Sequence, residues 1–326
     1  MRVGVIGPVS PDMFADNILD CLPDVGAEPV ALGPARQHTG QRHVDAVVER
    51  YASQSQTLDV RLQRGVADRA VQAECDVVIN VFGGLRPEAV KRIRASGTKV
   101  ALWYPDHIAN IGNQMMLTAL YDRLYFKDPS LVNWMVAVAG LPGRYLPEAC
   151  NPRWHRPVGC SASEPGFVSV GNMYPSRVLL FDRLFADGLP LRLYGSGFPR
   201  WLPDRPLTQL HTGRHVVRED KARVFRQSSG VLNNLHPAEM GVNCRMFEAA
   251  GSGAAVLCEA RQPLSSLFDI GSEVLTFASY EELVRQCRRL SEDPDLTRRI
   301  GDAASERAHA EHTYQHRLRT ILEDLA

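Results

Sequence analysis

The strongest constraint on this chain is a recurrence. Short apolar runs that end in Gly, Pro or Asp are each followed by a stretch with helical spacing. "RVGVIGP" gives way to "PDMFADNILDCLPDVG", in which Phe14, Ile18 and Leu22 share one helical face, and then to "EPVALGP". "DVVINVFGG", "LRPEAVKRIRASG" and "KVALWYPD" form a strand–helix–strand unit with Gly97 in the helix-stopping position. "DRLYFKD" and "GRYLPEA" read as two further strands. Such alternation implies a parallel sheet with helices on both faces.

The rhythm breaks at "NPRWHRPVGCSASEPG", residues 151–166, which is rich in Pro, Gly and Ser and has no periodicity. It then restarts: "FVSVGN", a helix over 176–187, "LRLYGSG", a helix over 219–228, "GVLNNL", a helix over 243–251, "AAVLCE", a helix over 263–269, "EVLTF" and a helix over 279–292. The last segment, from Leu296, is one or two amphipathic helices. The expected architecture is α/β, with two doubly wound Rossmann-like domains, 1–157 and 158–312, facing a cleft. A C-terminal helix of about 313–326 is expected to close it and pack back on the first domain.

Composition narrows the class of partner. No apolar run approaches the roughly 20 residues of a membrane span, and "MRVGVIGPVSPDMF" lacks a signal-peptide core. The 37 basic and 37 acidic residues cancel, which argues against a nucleic-acid polymer or an anionic membrane as the dominant partner. Seven cysteines (21, 75, 150, 160, 244, 258, 287) are scattered and include no CxxC pair. That spacing argues against a disulfide framework or a zinc ribbon. A reduced, cytoplasmic setting is expected.

Ligands of open parallel sheets bind beyond the carboxyl ends of the strands, where helix N-termini point. The strand "GVLNNL", the loop "HPAEMG", which opens with His236, and the helix from Asn243 put a helix start there. Its free N–H groups and dipole suit a phosphate. Met246, Phe247 and Ala250 make the apolar side of this helix, while Arg245 and Glu248, three apart, share the other. A carboxylate there can accept both hydroxyls of a ribose, and a guanidinium can meet a diphosphate. The same two residues could instead pair with each other on the helix surface.

Gly171 and Asn172 follow the strand 167–170, and Arg177 falls in the next helix's first turn. A cation there opposes the dipole, so an anionic ligand would explain it; an ordinary surface arginine is the alternative. Gly195 in "YGSGF" marks another glycine-rich strand exit. In the first half, Asp106 and His107 stand at the exit of "KVALWYPDHIAN", where either could act as a general base. Helix capping by Asp106 and a solvated His107 are the plainer alternative. Gly7, Pro8 and Ser10 follow the first strand, but the pattern is neither GxGxxG nor a P-loop. "HAEHTYQHR" spaces His312 and His316 four apart with His309 nearby. Lacking the glutamate of HExxH, it reads as a polar helix face, and no metal site is expected.

Taken together, "YDRLYFKD", "RYLPEACNPRWHRP", "VGNMYPSR", "LRLYGSG", "NCRMFEAAGSGAAVLCE", "LFDIGSEVLTFASYEEL" and "EHTYQHRL" resemble the spore-maturation-type (CgeB-like) glycosyltransferases, a branch with the GT-B architecture. The resemblance spans roughly residues 75 to 322 in the family's order. It implies a nucleoside diphosphate sugar, most commonly a UDP-sugar, bound by the second domain, and a small-molecule acceptor bound by the first. Carried over residue by residue, Glu248 would hold the ribose. Arg177 and Arg245 would face the diphosphate with backbone N–H groups near Gly171 and Asn243; Asn172, Gly195 and His236 would complete the donor site. By their place at strand exits, Gly7, Pro8 and Ser10 are the candidate acceptor contacts, and Asp106 or His107 the base that deprotonates the acceptor if the enzyme inverts. No cofactor beyond the sugar nucleotide and no metal are implied.

Two departures stand out. Related retaining enzymes place a second glutamate eight positions before the ribose glutamate, where this chain has Met240; the nearest acid, Glu239, is one place off. The first seventy residues match least. The arginine bias, with lysine only at 91, 99, 127 and 221, suits a GC-rich source and natural-product or nucleoside-antibiotic biosynthesis. A cytosylglucuronate-synthase-like transfer of glucuronate to a nucleobase is one specific case. Epimerisation or phosphorolysis of a nucleotide sugar, or sugar-nucleotide binding without turnover, are the alternatives. Homodimerisation is left open.

Overall fold

The computed structural model describes residues 1–36, 40–108, 114–159, 164–203 and 205–326. The chain divides into two compact units, Met1–Pro147 with Tyr314–Ala326, and Glu148–Thr313. The first contains β1 (Arg2–Ile6), α1 (Phe14–Cys21), β2 (Glu28–Gly33), α2 (Arg42–Gln54), α3 (Gln56–Gln72), β3 (Val77–Asn80), α4 (Pro87–Arg94), β4 (Lys99–Tyr104), β5 (Arg123–Phe126), α5 (Pro129–Ala137) and β6 (Gly143–Tyr145). The second contains β7 (Phe167–Val170), α6 (Pro175–Ala186), β8 (Leu191–Tyr194), α7 (Arg218–Gln227), β9 (Gly230–Asn233), α8 (Cys244–Gly251), β10 (Val256–Glu259), α9 (Leu264–Leu267), β11 (Leu275–Phe277), α10 (Tyr280–Glu292) and α11 (Pro294–Glu311). The last helix, α12 (Tyr314–Leu325), returns to the first unit.

Both sheets are parallel. The first has the order β2-β1-β3-β4-β5-β6 and the second β11-β10-β9-β7-β8. Every residue of β3, β7 and β9 is buried, as expected for strands covered by helices on both faces. In the first unit the chain leaves β1 toward β2 but leaves β3 toward β4, so the winding reverses between β1 and β3. In the second it reverses between β7 and β9. Helices that follow the two adjacent strands therefore go to opposite faces and open a crevice at their carboxyl ends.

The first unit is stitched to its returning helix by Phe14, Trp103 and Tyr314, whose rings meet edge-on at 4.6 to 5.9 Å. The Tyr125 hydroxyl donates to Asp324 at 2.8 Å, and Arg317 Nε to the Pro147 carbonyl at 3.1 Å. The second unit begins at Glu148, so the first part of the aperiodic stretch from Asn151 is folded into it. Cys150 N donates to the His312 carbonyl at 2.9 Å, and a Cβ on Gly251 would lie 2.8 Å from the His155 carbonyl. Residues 160–163 of that stretch, including Cys160, lie outside the described residues; the six described cysteines form no disulfide with one another.

One expectation is corrected here. His309 and His312 do not form a polar face: their Nε2 atoms lie 3.0 Å from the Gly251 carbonyl and 2.6 Å from the Leu267 carbonyl, and His312 packs against Phe247 and Phe268. His316 belongs to the next helix. Helices α2 and α3 fill the stretch between β2 and β3. The buried face of α3 is partly polar: it turns Asp59 and Gln63 inward, both with 0% exposure.

Asp59 accepts from Arg36 Nε at 2.6 Å, from Arg86 Nε, and from Gln63 Nε2 at 2.9 Å. Burial alone would raise its pKa, but the two guanidinium groups outweigh this and hold it below the ordinary 3.8. Removing one side of a buried charge cluster leaves the rest unpaired, so Asp59→Ala should destabilise the protein by about 3–5 kcal/mol at neutral pH. A carboxyl with a depressed pKa stabilises fully above its unfolded pKa and loses that contribution as pH falls through its folded one. The deficit of the variant in denaturant titrations should therefore be constant at neutral pH and shrink below pH 3.8. An equal deficit at all pH values would contradict this.

Candidate functional site

The crevice of the second unit lies where β7 and β9 end. Gly171 and Asn172 lead from β7 to α6, and a loop from Asn234 leads from β9 to α8. Both helices start without a side-chain cap, on Tyr174 and Asn243 respectively. Asn243 is nearly buried, and its Oδ1 has no hydrogen-bond partner. Met246 N donates to the Asn243 carbonyl at 3.2 Å, and the N–H groups of Cys244 and Arg245 are left for something other than a capping side chain.

Two glycines shape this crevice. Gly171 has φ +141° and Gly195 φ +106°, a region that residues with a Cβ rarely adopt. A Cβ on Gly195 would sit 2.8 Å from the Gly171 carbonyl oxygen and 2.9 Å from its nitrogen. A Cβ on Gly171 would sit 2.7 Å from both Cζ and Nε of Arg245. The exits of β7 and β8 therefore lie backbone on backbone, with the Arg245 guanidinium flat against the first.

Arg245 is half-buried and makes no hydrogen bond or ion pair among the described residues. Burial pulls its pKa down, but negative charge on its neighbours, notably Glu248 and Glu148, more than offsets this and keeps the guanidinium firmly charged. Cys244 supplies no counter-charge at neutral pH. Burial, then the Glu248 and Glu148 carboxylates, push its thiol well above the ordinary value.

Glu248 does not pair with Arg245, as the sequence allowed. It lies 2.8 Å from Nζ of Lys221 on α7, with both side chains nearly buried. Sequence reasoning missed Lys221, although it shares the core-facing stripe of its helix with Ala222 and Phe225. Arg177 is a second correction. Rather than facing an open crevice, it is 2% exposed and donates to Asn234 Oδ1 at 2.8 Å, the Asn172 carbonyl at 2.9 Å, the Asn234 carbonyl at 3.0 Å and the Tyr174 hydroxyl at 3.1 Å. Burial, and then the Arg245 charge, lower its pKa to about 10, so it stays protonated at neutral pH. It is a strut between the ends of β7 and β9.

The other donor-site residues lie on the rim. Asn172 is exposed and accepts from Ser196 Oγ at 2.8 Å. His236 is exposed, with its ring 5.8 Å from that of Tyr174. In the first unit, a Cβ on Gly7 would come within 2.3 Å of Val81, which lets the ends of β1 and β3 approach. Gly7 and Pro8 line a cavity of about 230 Å³ with Arg36, Asn80 and Phe82. Ser10 is not among its lining residues and accepts from Met13 N at 3.0 Å. Asp106 is exposed just beyond β4 and His107 is half-buried; residues 109–113, which follow, lie outside the described residues.

Residues 177–323 match the family model described as Glycosyl transferase-like. No curated protein matches the sequence. Among solved structures, sucrose-phosphate synthase from Thermosynechococcus elongatus aligns with a TM-score of 0.68 at 11% identity, over 99% of this chain and 97% of that one. HepE from Anabaena in complex with UDP-glucose gives 0.67 at 12%, over 100% and 99%. The E. coli structure described as trehalose-6-phosphate bound with UDP-2-fluoro glucose gives 0.66 at 13%, over 100% and 99%. At these identities the structural likeness concerns the fold, while the family match runs through α6, α7 and α8. The two doubly wound parallel sheets are thus the fold of these GT-B structures, and the chain from α6 to α12 is similar to the glycosyl transferase-like family.

Proposed function

We propose that this enzyme moves a sugar from a UDP-sugar to a small-molecule acceptor, as a CgeB-like member of the GT-B superfamily. The observation that carries the proposal is Arg245: a charged, half-buried guanidinium with no hydrogen-bond partner among the described residues, seated on Gly171 beside the uncapped start of α8. A diphosphate satisfies both features at once. In the transfer, the bond from the anomeric carbon to the β-phosphate oxygen breaks as the bond to the acceptor forms. Arg245 and the α8 N–H groups stabilise the charge on the departing diphosphate. Arg177 acts indirectly, by fixing the strand ends, and the reaction requires no resident metal.

Uridine is favoured because two solved relatives of the fold hold UDP-glucose and UDP-2-fluoro glucose. Glu248 takes the ribose, Asn172 and His236 form the rim of the donor site, and the second unit is the donor domain. The first unit is the acceptor domain, with Gly7 and Pro8 lining its pocket, Ser10 at its edge and Asp106 or His107 as base. Met240 stands where retaining relatives carry a glutamate, which favours inversion. The acceptor is a small natural product, made in the cytoplasm; glucuronate transfer to a nucleobase nitrogen is its most specific form.

Calorimetric titration with UDP, GDP, ADP and TDP tests the donor. UDP should bind selectively, and Glu248→Ala should weaken it by about 10–100-fold, the range of a hydrogen bond to a charged group. Binding of none of the four would remove the basis for the proposal. With a turnover assay in hand, Asp106→Asn or His107→Gln should lower kcat by about 10²–10⁴-fold, whichever is the base, with UDP affinity unchanged. Full activity in both variants would show that neither deprotonates the acceptor.

A further inference from the structure

Helix α7 starts under strain and carries a charge on its buried face. Its first residue, Arg218, has φ +52°, the left-handed region that costs energy for a residue with a Cβ. The Arg218 guanidinium lies 4.7 Å over the ring of Trp154. Three residues on, Lys221 is 6% exposed, in a first helical turn where the dipole disfavours a cation. Its Nζ meets Glu248 Oε2 at 2.8 Å. Removing two charges from water costs about as much as their attraction returns, so stability alone does not explain the pair.

The geometry has a further asymmetry. Lys221 engages one carboxylate oxygen of Glu248, while the other, Oε1, has no hydrogen-bond partner among the described residues. Arg245 lies one helical turn earlier, against Gly171. We infer that Lys221 is a positioning residue for ribose recognition: it holds Glu248 in one rotamer, so that Oε1 stands ready to accept from the ribose hydroxyls of a nucleotide whose diphosphate lies on Arg245. This rests on the nucleotide-sugar reading above and adds a device to it. The chain selects ribose over deoxyribose through a side chain 27 residues before the one that touches the sugar.

The test is the ratio of Kd values for 2′-deoxy-UDP and UDP, a quantity that general loosening of the fold does not move. The intact enzyme should prefer UDP by at least about tenfold, as a hydrogen bond to a charged acceptor allows. Lys221→Met should bring the ratio close to one, and Lys221→Arg, which restores a cation of similar reach, should recover most of it. Lys221→Gln carries the same test if the methionine variant does not fold. A methionine or glutamine variant that keeps the full preference overturns the inference. If Glu248→Ala abolishes the preference in that case, the nucleotide reading stands and only the role of Lys221 falls. If the intact enzyme binds neither nucleotide, both fall together.

Discussion

The contact between Gly171, Gly195 and Arg245 governs the whole candidate site. A Cβ on Gly171 would occupy space filled by the guanidinium, and one on Gly195 space filled by the Gly171 backbone, so the arginine and the exit of β8 can both press on Gly171 only because these side chains are absent. Arg177 then fixes the frame around the contact, donating to the Asn172 carbonyl after β7 and to Asn234 after β9. Since the winding of the sheet reverses between those two strands, the strut holds open the crevice that topology creates.

Within this frame the electrostatics are one-sided. Arg245 stays charged against the cost of burial because Glu248 and Glu148 lie near it. Glu248 is engaged by Lys221, and Cys244 stays protonated. The guanidinium and the uncapped start of α8 thus both bring positive potential to the crevice. Preorganised charge of this kind acts most strongly on a group whose negative charge grows during reaction, as a departing diphosphate's does.

Much of the second unit was legible in the sequence. The helix expected over 176–187 spans Pro175–Ala186, and that expected over 219–228 spans Arg218–Gln227. Apolar periodicity and Gly or Pro punctuation are local signals, and both elements carry them. What the sequence hid depends on distant partners. Arg177 reads as ligand-facing until Asn234, 57 residues on, claims its donors. Lys221 reads as a surface lysine until Glu248 appears beside it. Helix α3 carries a weaker apolar stripe because Asp59 and Gln63 point inward to be satisfied by Arg36, Arg86 and one another. Arg245 and Glu248, three apart on one helix, turn to separate neighbours, Gly171 and Lys221.

The central claim, that Arg245 is a diphosphate anchor, is most directly tested by comparing UDP with uridine on the intact protein and on Arg245→Met. A guanidinium that meets the diphosphate predicts that the variant loses about 10–100-fold in affinity for UDP, the range of charge-assisted hydrogen bonds, while its affinity for uridine is unchanged. Equal losses for both ligands, or no loss for either, would mean that Arg245 does not touch the phosphates and that the crevice binds something else.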